Sequence, residues 1–323
     1  MNFQDLKKIE PYQFYLDVAF RSANDKVDLL RSITKKRENK LDKTIRLEQI
    51  RIDVIREKLA GAFQNITLNF PSLDSLPEFY DELIRCSLDY DKIKKSLGAA
   101  NWARQKIIDI ALQYKAKMNT AKQIPAVITA KKAFIGRVSS IVKQIRKNLE
   151  YLETARMEMR DFPSIKTSMF TIAITGFPNV GKSTLLKKLT NANPEINSYA
   201  FTTKTLNLGY AHIEDQKIQV VDTPGTLNRY QKMNSIEKKA HLVMKYLANM
   251  IVYVFDLSEP YPLEKQRELF KTMLEFDKPL IIYLSKSDIL DKKLIENFAK
   301  ECNGIYDIEL LETEIAKELE GFF

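Results

Sequence analysis

The sequence predicts an α-helical bundle followed by a P-loop α/β domain with a mostly parallel sheet. Three observations carry that reading. Apolar residues in the N-terminal part recur every three and four positions, whereas the C-terminal part carries short apolar runs bounded by turn residues. Directly after one such run stands the octapeptide Gly176-Phe177-Pro178-Asn179-Val180-Gly181-Lys182-Ser183, whose glycine-lysine spacing builds phosphate-binding loops. The boundaries expected are a basic bundle over 1–162, a linker over 163–168 and an α/β domain over 169–323.

The bundle rests on apolar stripes. Ile52, Ile55 and Leu59 form one, Ala103, Ile107, Ile110 and Tyr114 a second, and Ile135, Val138, Val142, Ile145, Leu149 and Leu152 a third on a single long helix. Phe70-Pro71 and Leu76-Pro77 mark breaks, and Pro163 ends the long helix, so four or five helices follow. Trp102, the one tryptophan, reads as a core anchor in preference to an RNA-stacking residue.

In the α/β part, Met169 to Thr175 reads as a buried strand and Thr184 to Leu189 as the start of a helix whose positive end faces a bound anion. Between them Asn179, Val180, Gly181, Lys182, Ser183 and Thr184 are the candidate nucleotide contacts. The glycines let backbone N–H groups turn toward phosphate oxygens, Lys182 adds a point charge and Ser183 can ligate Mg²⁺. Lys217 to Val221 is a further strand ending in Asp222-Thr223-Pro224-Gly225, where Asp222 can hold Mg²⁺ through water and the Gly225 N–H can meet a γ-phosphate. Thr203, in a loop, is the hydroxyl chosen to join Mg²⁺ only in the triphosphate state, although Thr202 or Thr203 could simply begin the next strand.

The base is read further on. Pro279 to Leu284 forms a strand that runs into Ser285-Lys286-Ser287-Asp288, one residue away from the Asn-Lys-x-Asp of GTPases. The Asp288 carboxylate can accept from both N1–H and the N2 amine of guanine, a donor pair adenine lacks. Lys286 is expected to lay its stem over the base, and Ser285 is shorter than the Asn that usually braces the phosphate loop. Gly304 to Ile308 is the one remaining strand candidate before an acidic helix over Leu310 to Leu319. Backbone N–H groups near Tyr306 and Asp307 could reach guanine O6.

These motifs come with further segments. Asn193-Pro194-Glu195-Ile196, Tyr199-Ala200-Phe201-Thr202-Thr203-Lys204, Asp222-Thr223-Pro224-Gly225 with Asn234-Ser235-Ile236-Glu237, and Asp256-Leu257-Ser258-Glu259 resemble the nucleolar GTP-binding protein family of the Obg-related GTPases. Tyr15-Leu16-Asp17-Val18-Ala19-Phe20-Arg21, Phe70-Pro71-Ser72-Leu73, Phe79-Tyr80-Asp81-Glu82-Leu83 and Gly136-Arg137-Val138 resemble its helical domain. The resemblance implies a P-loop GTPase domain and a factor in large ribosomal subunit assembly. It further implies GTP and GDP as ligands, and precursor rRNA with ribosomal proteins as partners. Eukaryotic members carry a long C-terminal extension, and a chain stopping at Phe323 resembles a compact archaeal-type member.

For turnover the candidates are Lys182, Thr203 and Gly225. Thr226 stands where Ras-like enzymes place a water-orienting Gln, so hydrolysis is expected to be slow without an activating partner. Asn179 resembles the residue that helps hold K⁺ in cation-dependent GTPases, the alternative being a role in the loop turn alone. Arg229 is more simply a solvated arginine than a finger in cis.

Charge separates the two parts. Residues 1–168 carry +11 and residues 169–323 carry −2 of the net +9, and 91–150 alone hold fourteen Lys or Arg against three acids. Lys143, Arg146 and Lys147 lie off the apolar stripe and Arg137 beside Gly136, so these four are the candidate contacts to RNA phosphates. No paired-aromatic RNA signature accompanies them, which favours shape and backbone recognition. No apolar run approaches the ~18 residues of a membrane span, and Met1 to Glu10 lacks a signal-peptide core. The expectation is a cytoplasmic protein, monomeric away from its particle, with no membrane partner and with Cys86 and Cys302 reduced in different domains. His212 and His241 have no metal-ligand spacing. The alternative function is an RNA-binding assembly scaffold that keeps guanine nucleotide as a structural ligand with negligible turnover. An ATP-dependent kinase is disfavoured by Asp288.

Overall fold

The computed structural model describes residues 3–33, 39–190, 197–199, 206–223, 235–258 and 262–322. They form two compact units. One is helical, built from residues 4–72 and 88–160, and the other is α/β, built from Leu73–Ser87 and the chain from Asp161 onward.

The helical unit contains α1 (Tyr12–Ile33) and α2 (Lys40–Asn69), while α3 (Glu78–Ser87) lies in the α/β unit; α4 (Tyr90–Asn119), α5 (Ile124–Gln144) and α6 (Arg146–Arg160) complete the bundle. Local chemistry sets the starts: the Asn39 side chain accepts from Leu41 N, that of Asp89 from Lys92 N, and Pro125 occupies the first turn of α5. Helix α4 is the hub, contacting α2, α5 and α6. Its buried face includes Ser96, Ala100, Ala103, Ile107, Ala111 and Tyr114, and the small residues let neighbouring backbones come close. Facing it are the buried Ile52, Ile55, Leu59 and Phe63 of α2 and Phe134, Val138 and Val142 of α5. Each such side chain contributes about 1.5–3 kcal/mol by leaving water.

The structure corrects three expectations in this unit. The third stripe spans two helices, because the chain leaves helical geometry for one residue at Ile145 (φ −87°, ψ 8°), which stays buried. Phe134 takes the core position expected of Ile135, which is only half-buried. Trp102 is 39% exposed and no core anchor: it sits one residue, some 100° of helix, from the buried Ala103.

In the α/β unit the strands are β1 (Thr171–Thr175), β2 (Asn197–Tyr199), β3 (Leu206–Ile213), β4 (Gln216–Asp222), β5 (Met250–Asp256) and β6 (Leu280–Ser285), ordered β2-β3-β4-β1-β5-β6. Pairs β1–β4, β1–β5 and β5–β6 are parallel; β2–β3 and β3–β4 are antiparallel. Strands β1 and β5 are buried along their whole length, as central parallel strands covered on both faces should be. Helices α7 (Lys182–Leu189) and α11 (Ile308–Glu320) cover one face. The other carries a π-helical turn Val243–Leu247, α9 (Leu263–Leu274) and α10 (Lys292–Cys302), with α8 (Ser235–Leu242) leading into the turn. The chain goes from β1 outward to β4 and then crosses to β5 on the other side of β1. Parallel sheets place ligands at the C-terminal ends of strands beside such a reversal.

The compact units do not follow the linear division at 162 and 168. Leu73–Ser87 groups with the α/β unit, where α3 packs on α8 and the π-helical turn. The 163–168 stretch is no free polar tether, since Phe162, Pro163 and Ile165 are buried. The Tyr80 hydroxyl donates to Pro163 O (2.8 Å) and accepts from Ile165 N (2.9 Å). Cys86 and Cys302 therefore share this unit, both as free, half-buried thiols whose pKa burial pushes up. Of the expected 304–308 strand, the described backbone retains one bridge, Tyr283 to Ile305.

Candidate nucleotide-binding site

The loop from Gly176 to Ser183 joins β1 to α7 at the reversal. Its conformation is one that side chains resist. Gly176 has φ +143°, and a Cβ there would lie 2.6 Å from the Val254 carbonyl oxygen of β5, so only glycine fits. Gly181 has φ +94° and caps α7, while Asn179 sits at φ +63°, left-handed backbone that Asn tolerates better than most residues. Val180 is fully buried and anchors the loop to the sheet. Successive residues of this kind turn N–H groups inward into an anion-binding concavity.

Two side chains enter from the helix start. Lys182 is 8% exposed and donates from Nζ to the Phe177 carbonyl at 2.7 Å, which folds the ammonium over the loop. The Ser183 hydroxyl donates to Asp222 Oδ2 at 2.5 Å. Asp222 arrives by register, because β4 pairs with β1 so that Asp222 lies opposite Ile174. Burial pushes its carboxyl above the ordinary range, opposed by the Ser183 hydroxyl, the nearby Lys182 charge and an Asn207 amide at 3.2 Å. A buried carboxylate beside a hydroxyl is a hard-oxygen donor pair that fits Mg²⁺.

At the end of β6, Ser285 is buried against the backbone of Gly181 and its hydroxyl donates to Phe255 O (3.1 Å). Lys286, at φ +56°, is held by a carboxylate: Nζ lies 2.5 Å from Asp256 Oδ2 and donates to Ser258 Oγ at 3.1 Å. Asp256 in turn accepts at Oδ1 from the Ser258 N–H and hydroxyl, at 2.8 and 2.6 Å. Asp288 follows, exposed. The segment expected to supply a fifth contact runs alongside: Leu284 N donates to Ile305 O (2.7 Å) and the Ser287 hydroxyl to Tyr306 O (3.4 Å).

The structure thus gathers Asn179, Val180, Gly181, Lys182, Ser183 and Thr184 on one loop and helix start, joins Asp222 to Ser183, and fixes Lys286 through Asp256. Thr203, Gly225, Thr226 and Arg229 lie outside the described residues. Asn207, Asp256 and Ser258 are supporting residues that sequence reasoning did not assign. The cations chosen for RNA are solvent-facing on the helical unit, with Arg137 and Lys143 exposed on α5 and Arg146 and Lys147 exposed at the start of α6. Arg137 and Lys143 line different grooves of that unit.

Residues 171–286 match the family model described as 50S ribosome-binding GTPase, and residues 3–166 match that described as NOG1 N-terminal helical domain. The chain belongs to the NOG1 family. An uncharacterised protein of Methanocaldococcus jannaschii is 38% identical over 255 residues, covering 77% of this chain and 71% of that protein. Nucleolar GTP-binding protein 1 of Encephalitozoon cuniculi is 35% identical over 251 residues, 75% of this chain and 48% of its own length. Its counterpart in Drosophila melanogaster is 33% identical over 291 residues, 86% of this chain and 45% of its own. The chain thus spans about half the length of these two nucleolar relatives. Family membership agrees with the loop geometry in making the α/β unit a P-loop GTPase domain. Among the described residues no helix is long and apolar enough to cross a membrane.

Proposed function

We propose that the chain binds and hydrolyses GTP as a cytoplasmic assembly factor for the large ribosomal subunit, its basic helical unit contacting rRNA. The observation that carries this reading is the juxtaposition of Lys182 and the Ser183–Asp222 pair at the mouth of a left-handed loop, in a chain whose net positive charge lies outside the nucleotide-binding unit.

In this reading the loop N–H groups and Lys182 neutralise phosphate charge, which grows on the way to the transition state. The ammonium leaves the Phe177 carbonyl to do so. Ser183 and Asp222, together with Thr203, would hold Mg²⁺. When bound, the ion draws off charge from the β- and γ-phosphates. The Gly225 N–H meets the γ-phosphate. Asp288 reads guanine N1–H and N2, and the Asp256–Lys286 pair keeps the Lys286 stem in place beside the base. With Thr226 after Gly225, water positioning is weak and turnover is slow until the particle supplies what is missing. Asn179 would help hold K⁺, whose positive charge would act where an arginine finger does.

The test is GTP turnover by the intact chain, alone and with purified large-subunit precursors. The reading expects a slow basal rate that rises at least about tenfold with precursors, a barrier reduction of about 1.4 kcal/mol. Tight GTP binding with no stimulation by any precursor would instead leave a scaffold that holds nucleotide as a structural ligand.

A further inference from the structure

The groove between α4 and α5 unites features that backbone contact alone leaves unused. On α4, Trp102, Lys106, Asp109 and Gln113 recur at three- and four-residue spacing and share a face; on α5, Arg137 and Gln144 lie seven residues, two turns, apart and also share one. These six side chains line a cavity of about 650 Å³, within the range of roughly 300–1,000 Å³ typical of small-ligand sites. Trp102 stands 39% exposed in it. Among the described residues neither Lys106 nor Arg137 forms an ion pair, whereas Lys115 is held by Asp53 at 2.6 Å and Arg146 by Glu150 at 3.7 Å.

We propose that this groove takes one unpaired nucleotide of a structured RNA. The base stacks on the Trp102 indole, its edge meets Asp109 and the amides of Gln113 and Gln144, and the flanking phosphates lie on Lys106 and Arg137. The inference rests on the proposed rRNA contact of the helical unit and assigns it a site. An exposed indole lining the same groove as two cations that form no ion pair among the described residues is the combination that single-stranded nucleic acid uses, aromatic face for base and positive charge for backbone. Ile110, Leu112 and Ile141 complete the lining, but an apolar peptide seated on them would also bury one carboxylate and two amides without partners. The carboxylate also sets a preference. Asp109 only accepts, so it favours bases that present an exocyclic amine, such as cytosine, over uracil.

Trp102 is the one tryptophan of the chain, so its emission reports on this groove directly. The experiment titrates the intact chain with short oligocytidylate, oligouridylate and a blunt, fully paired RNA duplex, reading tryptophan emission and the anisotropy of labelled RNA together. Expected are saturable quenching by oligocytidylate, weaker quenching by oligouridylate, and salt-dependent duplex binding that leaves the emission unchanged. Trp102→Ala should weaken oligocytidylate binding about tenfold, within the span measured for base–aromatic stacking. It should leave duplex binding and far-ultraviolet helicity as they were, and Trp102→Phe should recover much of the loss. Asp109→Asn should narrow the gap between cytidylate and uridylate. Binding of oligocytidylate without quenching, or unchanged affinity in Trp102→Ala, would overturn the proposal while leaving the rRNA contact standing. Failure of every RNA to bind would bring down both.

Discussion

In the α/β unit the groups poised for phosphate come from eight consecutive residues, Gly176 to Ser183, held by left-handed backbone and by one buried valine. In the helical unit the candidate RNA cations come from two helices and are exposed, with an exposed ion pair, Arg146 to Glu150 at 3.7 Å, among them. The first arrangement is built for one geometry: a methyl group at Gly176 would collide with the Val254 carbonyl, and Lys182 and Asp222 are nearly withdrawn from water. The second is built for a field. Charges spread over a solvated surface sum their attraction for a polyanion, and each contributes little alone. A single substitution in the phosphate loop should therefore be drastic, and the loss of any one of these surface cations slight.

The largest effect expected is at the base. Asp288→Asn replaces an acceptor of two hydrogen bonds by a group that also donates. With charged hydrogen bonds worth about 1.5–3 kcal/mol each, GTP affinity should fall at least about a hundredfold. Xanthosine triphosphate, which keeps N1–H but carries a C2 carbonyl acceptor in place of the N2 amine, should gain. Equilibrium titration with both nucleotides checks this, and undiminished GTP affinity in the variant would remove Asp288 from the site. Next, Lys182→Ala removes the buried ammonium and should weaken triphosphate binding or turnover by about a hundredfold, regardless of the monovalent cation. Smaller, at about fivefold to tenfold, is the advantage of KCl over NaCl at equal ionic strength in the hydrolysis rate, a barrier difference of about 1–1.4 kcal/mol. Asn179→Ala should abolish it and Thr226→Ala should not; equal rates in the two salts would reduce Asn179 to a turn-former.

The smallest concerns His241, packed 5.0 Å from the Phe276 ring. Burial, with the positive Lys245 nearby, depresses its pKa below the usual 6.5. Because the unfolded chain takes up this proton first, the stability from the neutral imidazole is present above about pH 6.5 and is lost as pH falls toward the lower folded value. One proton limits the slope to about 1.4 kcal/mol per pH unit. Thermal melts at pH 7 and pH 5.5 should show a shallower loss for His241→Phe than for the parent chain.

What could be read from the sequence follows the same contrast. The phosphate loop was legible because its chemistry is written in neighbouring residues. The Asp256–Lys286 pair was not, since those residues are thirty positions apart and meet only because β5 and β6 align Asp256 with Ser285. Asn207 reaches Asp222 by the same kind of accident of register, here between β3 and β4. In the helices the three-and-four spacing located the core, and Trp102, read as an anchor for its aromatic bulk, lies one residue off that stripe, which turns its side chain to the groove. Nor does any local signal show that Leu73–Ser87, with Pro71 just before it and Pro77 within it like an ordinary interhelical loop, belongs with the α/β unit. Its allegiance is set by where Tyr80 finds partners, some eighty residues further on. For the same reason a fragment ending at residue 168 would separate α3 from α8, and tests of RNA binding belong on the intact chain.

The division of labour between a geometric site and a charged field is tested most directly by the salt dependence of RNA binding, measured on the intact chain alongside GTP affinity. For about five neutralised phosphates the log–log slope should lie near −4. Changing Lys143, Arg146 and Lys147 together to Gln should flatten it by about two to three units, with GTP affinity unchanged. Lys182→Ala should do the converse, losing GTP and keeping the slope. A slope unmoved by the triple change, or one that collapses with Lys182→Ala, would contradict the assignment of nucleotide to one unit and RNA phosphates to the other.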